Sequence, residues 1–237
     1  MAKDKLIVAL DVASLREARK LVKTLSPVVK IFKVGKELFT SAGPKVVEMI
    51  HKHHAKVFLD LKFHDIPNTV GAALEAATRL EVFMVNVHAS GGRNMLYKAV
   101  QAIHQTAEKE KVKPPILLGV TVLTSLTDAD LKEIGLKEGV QKQVEHLAKL
   151  SKTCGLDGVV ASGQEIELIR KATGPDFLIV TPGVRPLWAA QGYQKRIITP
   201  LEAIEKGADY IVVGRPITQD PDPKKAAKKI LDEMTRK

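Results

Sequence analysis

Eight short runs rich in β-branched and other apolar residues recur along the chain, at 6–10, 31–34, 56–61, 82–87, 116–122, 158–160, 177–180 and 210–213. Most are continuous in Val, Ile, Leu and Phe instead of alternating, the pattern of strands buried on both faces of a parallel sheet. Stretches of helical period lie between them. Leu15, Ala18, Val22 and Leu25 mark one apolar face, opened by a capping box of Ser14 and Glu17. Pro44 opens the next helix, where its missing N–H costs little. Ala72, Ala73, Ala76, Ala77 and Leu80 mark a third face, Leu96, Val100 and Ile103 a fourth, and Val144, Leu147, Ala148 and Ser151 a fifth. The last helix runs from Pro223 through Ala227, Ile230, Leu231 and Met234, with Asp222 as its cap.

Eight such units in 237 residues amount to about 30 residues each, the size of a strand with its crossover helix. A closed (β/α)8 barrel typically takes about 250 residues. An open doubly wound sheet is the alternative, and it usually carries a Gly-rich first turn. Here the first turn, Leu10-Asp11-Val12-Ala13-Ser14, has no glycine, and neither a G-x-G-x-x-G nor a G-x-x-x-x-G-K-[ST] motif occurs. No linker or break in composition divides the chain. The expected architecture is an α/β chain forming a TIM barrel, one catalytic domain over residues 1–237.

Composition narrows the function. Hydrophobic residues at 45% and charged residues at 27% exclude a disordered or low-complexity chain. No apolar run approaches the roughly 18 residues of a membrane helix, so no membrane partner is expected. Met1-Ala2-Lys3-Asp4-Lys5 leads directly into the first strand without an apolar leader, so a cytoplasmic protein is expected. The single cysteine, Cys154, cannot form an internal disulfide and reads as a small buried helix residue. The net charge is +10, carried by 37 basic residues against 27 acidic ones. Lysine clusters at 109–113 and 224–229 read as solvated helix faces. The overall field attracts phosphorylated metabolites. Aromatic residues at 4% and the absence of a recognition motif argue against a nucleic-acid partner. His51, His53 and His54 fall at the end of the second helix, away from the barrel mouth, so no metal site is expected from them.

In a TIM barrel the chemistry sits at the carboxyl ends of the strands. Polar residues collect at those ends: Asp11, Lys33, then Asp60, Lys62 and Asp65, then Asn86, His88, Thr124, Ser162, Arg185 and Arg215. After the third strand, Asp60 and Lys62 are two apart and are expected on one face. Lys33 is their neighbour on the second strand. Charges set among apolar residues are costly unless paired, and an array of alternating charges favours the charged form of each member. Two lysines and two aspartates at this rim point to catalysis over a lone structural salt bridge. After strands seven and eight come Thr181-Pro182-Gly183-Val184-Arg185 and Gly214-Arg215-Pro216-Ile217-Thr218. Barrels often bind phosphate there; glycine admits the backbone and arginine supplies a forked donor. Asp11 is placed to accept hydrogen bonds from sugar hydroxyls.

The run Asp60-Leu61-Lys62-Phe63-His64-Asp65-Ile66-Pro67-Asn68-Thr69 resembles the signature of the orotidine 5′-phosphate decarboxylase family. The resemblance extends over nearly the whole chain. It takes in Val8-Ala9-Leu10-Asp11, Lys33-Val34-Gly35-Lys36-Glu37 and Val85-Asn86-Val87-His88-Ala89-Ser90-Gly91-Gly92. Further on it includes Val120-Thr121-Val122-Leu123-Thr124-Ser125, Gly155-Leu156-Asp157-Gly158-Val159-Val160 and the two glycine–arginine segments above. The spacing is similar to that of the bacterial branch.

The resemblance implies a cofactor-free and metal-free enzyme that converts orotidine 5′-phosphate to uridine 5′-phosphate and carbon dioxide. It implies a homodimer with shared active sites. By the resemblance, Lys33, Asp60 and Lys62 form the charged network of one subunit, with Lys62 the proton donor to C6 of the pyrimidine. Asp65 and Thr69 reach the neighbour's site. Asp11 and Lys33 contact the ribose, and Thr124 the pyrimidine. Arg185, Gln194, Gly214 and Arg215 grip the phosphate, with Gln194 bridging phosphate and base. One departure is Tyr193-Gln194-Lys195-Arg196, where the bacterial pattern has an aspartate before the glutamine.

Two other readings make different predictions. A Mg-dependent sugar-phosphate decarboxylase or aldolase of the same barrel group shares an Asp-x-Lys-x-x-Asp run, but that run does not account for residues 64–69 or Gln194. An inert basic barrel that binds RNA predicts loss of part of the charged quartet, and all four residues are present.

Overall fold

The computed structural model describes residues 4–189 and 198–235. Among these residues, eight parallel strands pair in chain order and close, with β1 hydrogen-bonded to β8. They are β1 Leu6–Ala9, β2 Ile31–Gly35, β3 Lys56–Phe63, β4 Met84–His88, β5 Ile116–Val120, β6 Gly158–Val160, β7 Leu178–Thr181 and β8 Tyr210–Val213. The helices are α1 Leu15–Leu25, α2 Lys36–Ala42, α3 Lys45–His51, α4 Pro67–Arg79, α5 Gly92–Glu110, α6 Asp128–Glu133, α7 Val140–Thr153, α8 Ile166–Thr173, α9 Pro200–Glu205, α10 Arg215–Thr218 and α11 Pro223–Glu233. The expected (β/α)8 barrel is the observed fold.

The continuous apolar runs have a simple cause. Ile7, Ala9, Ile31, Phe58, Met84, Leu118, Val160, Val180 and Val212 fill the barrel interior. Their strand neighbours Leu6, Val8, Phe32, Val57, Val85, Val159, Ile179 and Ile211 pack outward in one core with the helices. Both faces of each strand are largely closed to water, so both are mostly apolar.

Three local expectations need correction. Pro44 is the N-cap of α3 and not its first helical residue, and α2 precedes it, ended by Gly43 at φ +59°. The buried face of α4 is Val70, Leu74, Ala77 and Thr78, whereas Ala72 and Ala76 are exposed. An alanine-rich helix carries little directional signal, and its larger side chains decide which side is buried. Finally, β3 runs on to Phe63, past the expected end at residue 61.

The amino ends of the strands, opposite the barrel mouth, are stapled by a device used twice. Gly155-Leu156-Asp157 precedes β6 and Gly207-Ala208-Asp209 precedes β8, with both glycines at positive φ (+83° and +102°). The Asp157 carboxylate accepts the N–H of Leu117 on β5 at 2.7 Å, and the Asp209 carboxylate accepts that of Ile179 on β7 at 2.8 Å. Arg170 at α8 reinforces the second staple. Its guanidinium donates to the carbonyls of Gly174, Pro175, Phe177 and Gly207 and pairs with Asp209 at 2.8 Å. One planar donor thus ties the turns that launch β7 and β8.

Arg170→Ala leaves these carbonyls without their donor and should lower stability by about 3 kcal/mol. The matching fall in Tm is roughly 6–12 °C for a chain of this size. Arg170→Lys should not restore it, because an ammonium cannot span acceptors that a rigid fork reaches together. Thermal unfolding followed by circular dichroism checks both variants.

Candidate active site

The chemistry-bearing end of β3 is irregular. β3 pairs with β4 at Leu59↔Val85 and again at Phe63↔Val87, four residues against two, so the strand bulges between them. Within the bulge Lys62 adopts φ +52°. The left-handed region costs a non-glycine residue roughly 1–2 kcal/mol, and such strain gathers at functional sites. Plain alternation along a strand therefore does not account for the meeting of Asp60 and Lys62. They do meet, with Lys62 Nζ 2.6 Å from Asp60 Oδ1, but on a bulge that re-aims the lysine.

Around them runs a chain of alternating charge. Asp11 Oδ1 lies 3.1 Å from Lys33 Nζ, and Lys33 Nζ lies 3.3 Å from Asp60 Oδ2. The carboxamide of Asn86 on β4 donates to Asp60 Oδ1 at 2.7 Å. Burial pushes the Asp60 carboxyl up, but Lys33, Lys62 and the hydrogen bonds from Lys62 and Asn86 outweigh it and hold it below the usual carboxylate range. Burial likewise pushes the Lys33 ammonium down, and Asp60 and Asp11 outweigh it, leaving its pKa raised. A Cβ at Gly35 would stand 3.3 Å from Lys33 Nζ, so a side chain there would press on the ammonium.

His88, at the end of β4, is pushed down to about 4 by burial, then by His64, Lys36 and Lys62, so it is neutral at neutral pH. Its ring packs against His64 with centroids 5.4 Å apart.

The charge chain forms the wall between two adjoining chambers at the barrel mouth. One, of about 240 Å³, is lined by Asp11, Lys33, Asp60, Arg185, Gly214 and Arg215 among others. The other, of about 150 Å³, is mostly apolar, walled by Phe58, Val120, Val160 and Val212, with Lys62 and Thr124 as polar points. Lys33, Asp60, Pro182 and Val212 line both. Arg185 is only 8% exposed and is fixed through its own N–H to the Ile198 carbonyl. Gly183 at φ +76° makes the turn that carries it. Such an arrangement can hold a dianion at one end and a flat, largely apolar ring at the other, with an ammonium beside the ring.

Eight of the residues singled out in the sequence, Asp11, Lys33, Asp60, Lys62, Thr124, Arg185, Gly214 and Arg215, thus converge on one bipartite cleft. Asp65 and Thr69 do not. Both are exposed, and the Asp65 carboxylate accepts the N–H of Ile66 at 2.6 Å. The convergence of two lysines and two aspartates is corrected accordingly: within one chain the second aspartate is Asp11, not Asp65. Gln194 and Tyr193 lie outside the described residues. Asn86, noted in the sequence only as a polar rim residue, proves fully buried at the centre of the network. Among the described residues, no group of three or more His, Cys, Asp or Glu side chains is placed to hold a metal ion. Nor is any helix among them long and apolar enough to cross a membrane.

The family described as Orotidine 5′-phosphate decarboxylase / HUMPS family matches residues 4–230. An orotidine 5′-phosphate decarboxylase of Trichlorobacter lovleyi is 56% identical over 234 residues, covering 98% of this chain and 96% of that one. The same enzyme of Moorella thermoacetica is 52% identical over 98% of this chain and 93% of its own. The crystal structure of orotidine 5′-phosphate decarboxylase from Lactobacillus acidophilus superposes with a TM-score of 0.86 at 38% identity, covering 98% of this chain and all of that one.

The charge chain has a pH signature. The folded pKa of Asp60 lies below its unfolded value, so its contribution is present above about pH 4 and is lost as the pH falls through the depressed value. The folded pKa of Lys33 is raised, so its contribution is present below about pH 10 and is lost as the pH rises through the raised value. Asp60→Asn takes the carboxylate away from the Lys62 ammonium, leaves Lys33 with Asp11 alone, and should destabilise the protein by about 3 kcal/mol at neutral pH. The deficit should shrink near pH 3, which urea midpoints at the two pH values would register.

Proposed function

The chain belongs to the orotidine 5′-phosphate decarboxylase / HUMPS family, and from that premise we propose how its own residues carry out the decarboxylation of orotidine 5′-phosphate. The enzyme is a carboxy-lyase of pyrimidine biosynthesis that releases carbon dioxide and forms uridine 5′-phosphate. The family description spans two chemistries. The close relatives, at 56% and 52% identity over almost their full length, carry the decarboxylase name, which favours it over the Mg-dependent alternative. A basic RNA-binding barrel finds no support among them.

The observation that carries the mechanism is the Asp11–Lys33–Asp60–Lys62 chain standing between a polar and an apolar chamber. In this reading the phosphate meets Arg185, Gly214 and Arg215, with Gln194 bridging to the base. Asp11 and Lys33 take the ribose hydroxyls, and the pyrimidine enters the apolar chamber beside Thr124. The substrate carboxylate faces Asp60. The bond from C6 to the carboxylate breaks with its electron pair left on C6, and carbon dioxide departs. The Lys62 ammonium then gives its proton to C6, and the resulting amine recovers a proton from water. Phosphate and ribose contacts, remote from C6, supply binding energy that is realised at the transition state. The apolar walls strengthen the attraction between the ammonium and the developing carbanion.

We further propose that the protein works as a homodimer in the cytoplasm, each chain one barrel domain, with sites shared between subunits. Asp65 is exposed and outside the charge chain, and Ile66 beside it is 67% exposed, an apolar side chain suited to cover by a second subunit. Asp65 and Thr69 would then complete the partner's site.

Loss of absorbance as orotidine 5′-phosphate becomes uridine 5′-phosphate, measured in EDTA, tests the reaction; dependence on added Mg²⁺ would return the Mg-dependent alternative. Lys62→Ala should cut turnover by more than about a thousandfold while product affinity stays within about threefold. Near-normal turnover would remove Lys62 from the donor role.

The shared site is tested by mixing. Lys62→Ala and Asp65→Ala homodimers should both be nearly inactive. A mixed dimer has one site with both lesions and one intact, so about half of a normal dimer's activity should return, diluted by random pairing. Verified subunit exchange without recovery would refute the shared site.

A further inference from the structure

Asn86 lines neither chamber and is fully buried, yet it touches both halves of the β3 catalytic pair. Its Oδ1 accepts the backbone N–H of Lys62 at 2.8 Å, and its Nδ2 donates to Asp60 Oδ1 at 2.7 Å. The orientation of the carboxamide is dictated by its partners, because an ionised carboxylate only accepts and an N–H only donates. Both bonds fall where β3 departs from regular pairing with β4. There Lys62 sits at φ +52°, a conformation that persists only when its surroundings hold it.

We propose that Asn86 is a positioning residue for Lys62: one carboxamide locks the bulge that aims the lysine ammonium and orients the carboxylate that the ammonium rests on. The proposal rests on the reading of Lys62 as proton donor. It assigns Asn86 no contact with substrate. Every alternative of similar size fails one of the two bonds. A carboxylate places a second anion against Asp60, an aliphatic side chain strands the Lys62 N–H, and a lone hydroxyl cannot reach both partners.

The charged groups facing position 86 are Asp60 and Lys62 on β3 and Lys33 on β2, with His88 two residues along β4. On β5 its register partner is the apolar Leu118. In Asn86→Asp the new carboxyl is pushed towards its neutral form by burial and by the Asp60 anion it touches, against the pull of the Lys62 and Lys33 ammonium groups. When neutral it reproduces the amide, its O–H donating to Asp60 and its carbonyl accepting from Lys62. The lesion therefore repairs itself as the pH falls.

The experiment compares wild type, Asn86→Asp and Asn86→Ser, with turnover expressed per folded site titrated by uridine 5′-phosphate. Both variants should lose about a hundredfold in kcat, the effect of displacing a reacting group by about 1 Å, while KM moves by less than about threefold. The kcat of Asn86→Asp relative to wild type should climb between about pH 8 and pH 5, and that of Asn86→Ser should stay flat. A kcat within about threefold of wild type in both variants would overturn the proposal. So would a loss in Asn86→Asp that does not change with pH, or a rise in KM that accounts for the whole defect. Failure of both variants to fold would assign Asn86 to the fold and likewise overturn it. Wild type inert towards orotidine 5′-phosphate would overturn the functional reading instead, an outcome the same assay separates.

Discussion

A carboxylate kept charged inside a barrel mouth is the constraint around which this molecule is arranged. Asp60 is 8% exposed, and an anion so placed persists only when both oxygens are satisfied. One oxygen takes Lys33, and the other takes Lys62 and Asn86. Those partners come from β2, β3 and β4, and Asp11 extends the chain to the loop after β1. Gly35 leaves room beside the Lys33 ammonium, on which a side chain there would press. The neutral state of His88 fits as well: a further cation beside Lys36 and Lys62 would unbalance the array.

The two ends of the barrel divide the labour. At the mouth, like and unlike charges are held within a few ångströms and the backbone is strained. At the opposite end, the paired Gly-x-Asp staples and the Arg170 fork tie strand to strand through hydrogen bonds to main-chain groups. A parallel barrel lets these demands separate, because the strand ends carrying the chemistry are never the ends joined by the tight αβ turns.

Much of this is legible in the residue pattern. Continuous apolar runs at regular intervals mean strands buried twice over, and Ile7 inward against Val8 outward shows why. The rim residues are legible because charge at the end of an apolar run has few structural excuses. What escapes is what depends on irregular geometry. Nothing in Leu59-Asp60-Leu61-Lys62-Phe63 announces a bulge, and the amide that bonds its Lys62 N–H lies on another strand, at Asn86 of β4. Asn86 itself reads as one more polar rim residue until its burial is known. Asp65 is a different case: it is exposed and stands outside the charge chain of its own barrel. The alanine face of α4 misleads because small side chains carry no strong directional signal.

The positive φ of Lys62 also bears on how such a barrel drifts. Glycine or asparagine occupies that backbone conformation at little cost, and lysine does not. At this position the backbone favours glycine or asparagine, while the ion pair with Asp60 favours lysine. A lineage that gave up its lysine would shed the backbone strain but take an ion partner from the buried Asp60, so positions 60 and 62 would have to drift together. A descendant with Gly or Asn at position 62 and an uncharged residue at position 60 would keep the bulge and lose the charge it now carries.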